Sequence, residues 1–222
     1  SNLGYESEKT LEDNLIKQLC ADGYEFVEIN DIDDLHLNFR KQVNKHNASR
    51  LNGHELSDKE FERLLVKIQG KGVYGSSKTL RSLQDITMDD GSTQYIELFN
   101  TKNNEWCKNE FQVTHQVTMV GKYENRYDVT LLINGLPLVQ IELKRRGIDF
   151  KEAFNQVIRY KKHSLNDLFR YVQIFIISNG IDTKYFANSD KAMDFQYTFY
   201  WTDKNNNRID NLYDFALDFL PK

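Results

Sequence analysis

Two runs of alternating apolar and polar residues, joined by Asn134-Gly135, constrain this chain more than any other feature. An Asn-Gly pair between such runs is the strongest short-range signal for a β-hairpin, here predicted over residues 127–144. Successive side chains of a strand point to opposite faces. The pattern therefore assigns an apolar face to Tyr127, Val129, Leu131 and Ile133 with Val139, Ile141 and Leu143, and a polar face to Asp128 and Thr130 with Gln140, Glu142 and Lys144.

The length of the hairpin loop decides which polar residues meet. A two-residue loop pairs Ile133 with Leu136 and places Asp128 opposite Ile141, so that Asp128 and Glu142 lie on opposite faces. A three-residue loop, or one bulge, pairs Asp128 with Glu142 instead. If both apolar faces enter one core, the pattern predicts the odd loop or the bulge. The two carboxyl groups then have Cβ atoms roughly 5 Å apart.

Two carboxylates at that separation repel each other unless a divalent cation lies between them or one of them binds a proton. Oxygen ligands favour Mg2+ or Mn2+ over Zn2+. Lys144 follows Glu142 by two residues on the same face, where it can orient or deprotonate a water. Two acids and a lysine around a hard cation suit phosphodiester hydrolysis. The alternative is an ordinary charge pair on the solvated face of an amphipathic hairpin.

A helix is predicted directly after the hairpin, with Asp149 as its N-cap and Glu152 in a capping-box position. Gln156 and Tyr160 lie one above the other on this helix, where an amide and a phenol can hold a phosphate or a base. The alternative is a polar helix face with a half-buried tyrosine. The predicted apolar stripe is Phe150, Ala153, Phe154 and Val157, and the second stripe is Glu152, Gln156, Arg159, Tyr160 and His163.

The spacing D-(x13)-E-x-K followed by Q-x-x-x-Y resembles the PD-(D/E)xK nucleases of the RecB-like branch. More narrowly, the chain resembles the N-terminal endonuclease domain of type I restriction enzyme R subunits. Residues 128–144 and 153–160 carry the resemblance, and residues 10–24, 200–203 and 212–216 support it. The chain departs from the name of the superfamily in one respect, because Tyr127 stands where a proline would precede the first acid. The proline contributes no ligand.

The resemblance implies roles for particular residues. Asp128 and Glu142 would be metal ligands, and Lys144 would be the catalytic lysine. Gln156 and Tyr160 would form the auxiliary motif that positions DNA.

Four further residues are candidates for metal binding or phosphate binding. Glu12, on the first predicted helix, matches an acid that can join the metal site, although a favourable interaction with the helix dipole is an alternative role. Arg145, Arg146 and Arg159 flank the predicted site and are candidate phosphate contacts. The alternative for each arginine is a solvated surface position.

The implied fold is α/β: a PD-(D/E)xK restriction-endonuclease-like core with a mixed central sheet flanked by helices, in the order αβββαβ, with extra N-terminal helices. The whole chain is interpreted as a single nuclease domain. Residues 1–82 would be its mostly helical N-terminal part, residues 83–180 the catalytic core, and residues 181–222 the C-terminal strands and closing helix.

The implied function is a Mg2+-dependent endonuclease that cleaves double-stranded DNA without a sequence preference of its own, with Mn2+ able to replace Mg2+. A longer native chain would continue into an ATP-driven translocase, and modification and specificity subunits would supply sequence recognition. Two alternatives are a free-standing RecB-like exonuclease or repair nuclease, and a catalytically silent module that binds DNA or a partner.

Composition limits the classes of function. The net charge of −4 and the pI near 5.8 argue against a dedicated sequence-reading DNA-binding protein, which usually carries a basic surface. No run of about 18 apolar residues exists, so we expect no membrane association. Cys20 and Cys107 lack metal-ligand spacing and fit a reducing cytoplasm.

The remaining elements follow from periodicity and capping signals. Helices are predicted at residues 8–20, 33–47 and 212–219, and another begins at Ser57 with Glu60 completing a capping box. Residues 70–82 are predicted as a loop, whose glycine spacing does not match a phosphate-binding P-loop, so no ATP site is assigned. Strands are predicted at 24–29, 83–88, 93–98, 111–120, 171–177, 185–186 and 196–201.

Overall fold

The computed structural model describes residues 7–220, apart from the side chains of Asn103 and Trp106. The helices are α1 (Glu8–Ala21), α2 (Ile32–His46), α3 (Asp58–Ile68), α4 (Val73–Leu80), α5 (Phe150–His163) and α6 (Leu212–Phe219). The strands are β1 (Glu25–Phe26), β2 (Gln84–Thr87), β3 (Thr93–Ile96), β4 (Phe111–Val120), β5 (Glu124–Ile133), β6 (Leu136–Leu143), β7 (Ile174–Ser178), β8 (Thr183–Ala187), β9 (Trp201–Thr202) and β10 (Arg208–Ile209). Short 3-10 turns lie at Asn103–Lys108, Asp167–Tyr171 and Phe195–Tyr197.

A six-stranded mixed sheet forms the centre, in the order β1-β4-β5-β6-β7-β8. The β1/β4 and β6/β7 pairs are parallel and the other pairs are antiparallel. Helix α5 connects the parallel strands β6 and β7. The α/β prediction is confirmed, and the succession α1-β4-β5-β6-α5-β7 is compatible with a nuclease-like core. Strands β2 and β3 form a separate two-stranded sheet, as do β9 and β10.

Apolar side chains cover both faces of the central sheet, which confirms the expected arrangement of a mixed sheet flanked by helices. The α1 layer contains Leu11, Leu15, Val129, Ile141 and Phe215 among its members. The α5 layer contains Phe39, Leu64, Phe154, Val157 and Phe175 among its members. A sheet covered on both sides buries the polar residues of the hairpin together with its apolar ones.

The hairpin combines a tight turn with a bulge. Asn134 and Gly135 have φ values of 50° and 83°, as a two-residue hairpin turn requires, and Ile133 pairs with Leu136. The register then shifts, because Leu131 pairs with Val139 whereas Leu132 pairs with Pro137. The predicted bulge is confirmed. From Val129↔Ile141, one further step along the register places Asp128 opposite Glu142.

The side-chain alternation of β4 and β5 breaks where Gln116 lies opposite Asp128. Gln116 has a φ of 51°, in the left-handed region that disrupts regular strand geometry. On one side of this point Val113 and Val129 belong to the α1 layer, and on the other side Val117 and Tyr127 belong to the α5 layer. The prediction that Tyr127 shares a face with Val129 is therefore wrong.

Residues 70–82 are not a loop, because they contain α4. The backbone N–H groups of Val73 and Tyr74 donate to the carboxylate of Asp190, at 2.8 and 3.4 Å. Ser76 and Leu80 are buried. The residue that caps this helix lies more than 100 positions away, so the local sequence contained no start signal.

Two strand predictions need correction. Residues 196–201 contain the Phe195–Tyr197 turn and a single bridge from Phe199 to Tyr185, and only Trp201 belongs to a strand. The strand predicted from Tyr171 begins at Ile174, because Tyr171 ends a 3-10 turn.

The other helices and strands lie close to their predicted positions. The capping box of Ser57 and Glu60 is present, and Asp149 caps α5 by accepting from the Lys151 N–H. Strand β1 is shorter than predicted. None of the helices described within residues 7–220 has the length and apolar content that a bilayer crossing requires.

We expect Gly135→Ala to destabilise the fold more than Gly53→Ala. Both glycines have positive φ, 83° and 76°, so each alanine carries a backbone penalty of about 1–2 kcal/mol. A Cβ at Gly135 would also lie 2.8 Å from Phe39 Cα, whereas one at Gly53 meets nothing within 4 Å. Overpacking adds about 1–3 kcal/mol at Gly135. Urea unfolding measures the difference, and equal losses in the two variants would contradict the close packing of this turn.

Candidate active site

Glu142 is completely buried near the end of β6. One carboxyl oxygen accepts from Gln140 Nε2 at 2.9 Å, and Gln140 in turn accepts from Thr130 Oγ1 at 2.6 Å. The other oxygen, Oε2, receives no hydrogen bond from an N–H or hydroxyl group within the described residues. The alternative of a solvated hairpin face is wrong, because Thr130, Gln140 and Glu142 are each 0% exposed.

Asp128 lies beside Glu142, as the register predicts. Its Oδ2 accepts from the Leu143 backbone N–H at 2.8 Å. Burial raises the pKa of Asp128, although a hydrogen bond with Glu142 and the one from Leu143 oppose that shift. Burial raises the pKa of Glu142 well above its ordinary value, and the adjacent charge of Asp128 raises it further. Without a cation, the two acids are therefore expected to share a proton between them.

Lys144 follows on the same strand end, and its backbone N–H donates to the Ser178 carbonyl at 2.9 Å. Its positive charge acts on Asp128 and lowers the pKa of that carboxyl group. The structure thus brings together the three residues, Asp128, Glu142 and Lys144, that the sequence pattern singles out.

Helix α1 brings a third acid to the same place. Glu12 is 6% exposed and accepts from Gln116 Nε2 at 2.7 Å, while His115 Nδ1 lies 3.6 Å from its other oxygen. Burial raises the pKa of Glu12, and the charge of Asp128 contributes to the increase. A cleft of about 430 Å3 joins these groups, and it is lined by Glu8, Lys9, Glu12, His115, Gln116, Arg126, Asp128 and Leu143.

His115 and Gln116 were not among the residues predicted to form the site. Both lie within the predicted strand 111–120, where alternation alone gives them no special place. The left-handed conformation of Gln116 brings its side chain to Glu12, and no local sequence signal marks that conformation. Only the approach of α1 to β4 shows that the two residues line the cleft.

Gln156 and Tyr160 interact as predicted. Gln156 Nε2 donates to the Tyr160 hydroxyl, which donates to the Arg126 carbonyl at 3.0 Å. The Tyr160 ring is 4% exposed and packs 4.6 Å from the Tyr127 ring, centroid to centroid. Burial raises the pKa of Tyr160, as does the nearby charge of Glu142. Gln156 Oε1 is buried and has no hydrogen-bond partner within residues 7–220.

The three candidate arginines are exposed, as phosphate contacts require. Arg145 and Arg146 lie in the connection between β6 and α5, directly after Lys144, and the Arg145 backbone N–H donates to Glu8 at 3.2 Å. Arg159 lies on α5 between Gln156 and Tyr160 in sequence. Their role in phosphate binding stays a prediction.

The carboxylate oxygens of Asp128 and Glu142 suit a hard cation that keeps part of its water shell. In the part of the chain that the structure describes, no group of three or more His, Cys, Asp and Glu side chains is arranged to hold a metal ion. Asp128 and Glu142 provide carboxylate oxygens, one of them buried and without an N–H or hydroxyl donor in that part of the chain. Mg2+ is commonly bound by one or two carboxylates, with water and substrate phosphate completing its coordination. The residues present fit such an ion.

The mixed sheet, the paired carboxylates and the adjacent lysine define an α/β protein compatible with a nuclease-like core. The family described as the type I restriction enzyme R protein N terminus matches residues 5–193. The chain therefore belongs to this family.

Named relatives agree with that assignment. The chain is 52% identical over 216 residues to the type I restriction enzyme SsaAORF53P endonuclease subunit of Staphylococcus saprophyticus, covering 97% of this chain and 23% of that protein. It is 41% identical over 229 residues to the EcoprrI endonuclease subunit of Escherichia coli, covering 98% of this chain and 71% of that protein. The chain thus spans about a quarter of the length of the staphylococcal relative.

We expect Glu142→Gln to stabilise the metal-free chain at neutral pH. The pKa of Glu142 is higher in the folded than in the unfolded chain, so its contribution is fully favourable below the ordinary value of 4.5 and is lost as pH rises through the folded-state pKa. The neutral amide of Glu142→Gln avoids that loss, so the free energy of unfolding of this variant should exceed that of the parent by about 1–3 kcal/mol at pH 7.

Thermal unfolding in EDTA between pH 4 and pH 8 measures this effect. The parent should lose stability relative to Glu142→Gln as pH rises. Asp13→Asn, an exposed change on α1, is the control and should follow the parent. A parent and a Glu142→Gln variant with parallel pH profiles would show that the pair does not bind a proton as described.

Proposed function

We propose that this chain is the endonuclease part of a type I restriction R subunit and that it hydrolyses phosphodiester bonds of double-stranded DNA with Mg2+. The pairing of the half-buried Asp128 with the completely buried Glu142, beside Lys144, is the observation that carries the proposal. Membership of the R protein N-terminal family and the names of the relatives, which are endonuclease subunits, support it.

In this proposal Asp128 and Glu142 would hold the cation, and Glu12, which lines the same cleft as Asp128, is a further candidate ligand. The cation, when bound, would polarise the phosphoryl oxygen and lower the pKa of a water next to it. Asp128 and Glu142 could then both be ionised, because a positive charge between them would replace the shared proton. Mn2+, with the same preference for oxygen ligands, should substitute for Mg2+.

The other residues orient the reactants. Lys144 carries the positive charge beside Asp128 and is placed to orient the attacking water or to move its proton. Tyr160 is buried and fixes the amide of Gln156, and this pair on α5 would help to position the DNA. Arg145, Arg146 and Arg159 would neutralise phosphates that flank the scissile bond.

Sequence recognition is proposed to lie elsewhere in the enzyme. The acidic net charge of −4 supports a domain without sequence preference of its own. The relatives at 51–52% identity are about four times as long as this chain, and they give room for an ATP-driven translocase. Modification and specificity subunits would complete the complex in the cytoplasm.

Calorimetric titration with Mn2+ tests the metal site. The parent should bind, and Asp128→Ala should bind more weakly by more than the roughly 10–100-fold that loss of an outer-shell partner costs, because a direct ligand is removed. Asp13→Ala, which removes an exposed acid from α1, is the matched control. Equal affinity of the parent and a folded Asp128→Ala variant would exclude this pair as the metal site.

Lys144→Ala separates chemistry from metal binding. We expect cleavage of duplex DNA in Mg2+ to fall by roughly 10²–10⁴-fold, the usual contribution of a residue that handles the proton of the reaction. Affinity for Mn2+ should change little, since the lysine is not a ligand. Gel analysis of supercoiled DNA over time gives the rate. Cleavage at the parent rate would remove Lys144 from the mechanism while leaving the metal site intact.

A further inference from the structure

A second group of cations lies beyond the carboxylate pair, at the β8 edge of the sheet. We define the cation–aromatic platform as Lys184, Phe195, Tyr200 and Arg208. Lys184 Nζ lies 4.6 Å from the centroids of both the Phe195 and the Tyr200 ring. Arg208 Cζ lies 3.4 Å from the Tyr200 centroid. Because both cations contact the same Tyr200 ring, at 4.6 and 3.4 Å from its centre, they lie within about 8 Å of each other.

The positive charge of Lys184 is not neutralised in this arrangement. Arg208 pairs with Asp210 and lies 3.9 Å from Asp182. Lys184 instead donates to the Thr198 hydroxyl at 3.2 Å, and within residues 7–220 no carboxylate oxygen lies within 4 Å of its Nζ. Burial and the neighbouring charge of Arg208 lower the pKa of Lys184. Two like charges held on one ring repel each other, and an anion bound between them would offset that repulsion.

The sheet register places this platform in line with the carboxylate pair. Glu142 pairs with Ile177 on β7, and Ile177 pairs with Lys184 on β8, so the three residues form one row across the sheet. Neighbouring strands lie about 4.8 Å apart, which puts the Lys184 backbone about 10 Å from that of Glu142. A separation of that size is short enough for one DNA strand to contact the carboxylate pair and the platform at neighbouring phosphates.

Helix α5 lies next to both the cation–aromatic platform and the proposed active site. Its first turn brings Lys151 to 5.9 Å from the Phe195 centroid, and its Phe154 ring packs 5.6 Å from the Phe195 ring. Gln156 and Tyr160 lie further along the same helix. Helix α5 thus carries residues of the proposed site and also contacts the platform, and the exposed Lys151 lies at the edge of the platform.

We propose that the cation–aromatic platform binds the phosphate backbone of duplex DNA, close to the phosphate that the carboxylate pair acts on. The inference rests on the proposed function, because that function assigns the scissile phosphate to the carboxylate pair. Backbone phosphate is favoured over a base as the ligand, since Arg208 already covers the Tyr200 ring at 3.4 Å and excludes stacking on that face. The platform would hold the duplex in place without reading its sequence.

Salt-dependent binding tests this proposal. The parent for the experiment is Glu142→Gln, in which the duplex is expected to stay intact, and affinity for a short DNA duplex is measured by fluorescence anisotropy over a series of salt concentrations. Lys184→Gln in this parent should lower the slope of log affinity against log salt by about 0.9, the value for one phosphate contact. If Lys184→Gln and its parent have equal affinities at 1 M salt, this decrease in slope corresponds to about eightfold weaker binding by Lys184→Gln at 0.1 M salt.

Two variants separate charge from packing. Lys184→Arg keeps the cation and should retain the parent slope. Lys59→Gln removes an exposed lysine from α3 and should also leave the slope unchanged. If Lys184→Gln melts below the assay temperature, Arg208→Gln gives the same test from the exposed strand β10, with the same expected change in slope.

The outcomes distinguish the two proposals. Parent slopes in folded Lys184→Gln and Arg208→Gln variants would overturn the platform and leave the nuclease proposal standing. If Glu142→Gln, the parent of this experiment, binds no duplex, that result would overturn the platform and the proposed DNA substrate together. Equal loss of slope in Lys59→Gln would also overturn the platform, because it would show a general effect of net charge.

Discussion

Two adjacent carboxyl groups, one fully buried and one half-buried, impose the main constraint on this structure. Glu142 is completely buried, Asp128 lines the cleft beside it, and burial raises the pKa of both. Such a pair is unfavourable unless a proton or a cation compensates it. The surrounding polar groups satisfy only part of the requirement: Gln140 donates to one oxygen of Glu142 and the Leu143 N–H donates to Asp128, while Glu142 Oε2 receives no hydrogen bond from an N–H or hydroxyl group of the described residues.

The backbone reaches this arrangement through two local irregularities. The bulge after Leu131 shifts the register of the hairpin so that the acids meet. The left-handed conformation of Gln116 interrupts the alternation of β4 and β5 next to Asp128, and it allows one strand to contribute to the α1 layer at one end and to the α5 layer at the other. The cleft lies where the alternation breaks. A regular strand pair would have kept Asp128 within a single face, without access to Glu12 on α1.

The helices on the two sides of the sheet have different roles at the site. Helix α1 brings Glu12 into the cleft, held by Gln116. Helix α5 brings Tyr160 against Tyr127 and holds Gln156 beside it. Family membership and the names of the relatives agree with the proposed nuclease function, and the platform on β8 would extend the same row of the sheet towards a second phosphate. Substrate positioning and bond cleavage would thus share one rigid sheet.

The sequence by itself determined the hairpin, the bulge that joins Asp128 to Glu142, and the helix that pairs Gln156 with Tyr160, because period-2 and period-3.6 patterns and turn residues act over short distances. Only the tertiary structure decided that α4 forms where a loop was predicted, that His115 and Gln116 line the cleft, and that Lys184 lies beside Tyr200. Each of these depends on partners distant in the chain: Asp190 for α4, Glu12 for Gln116, and Tyr200 with Arg208 for Lys184. Local patterns carry no information about such partners, since the energy of these contacts arises only when the layers pack together.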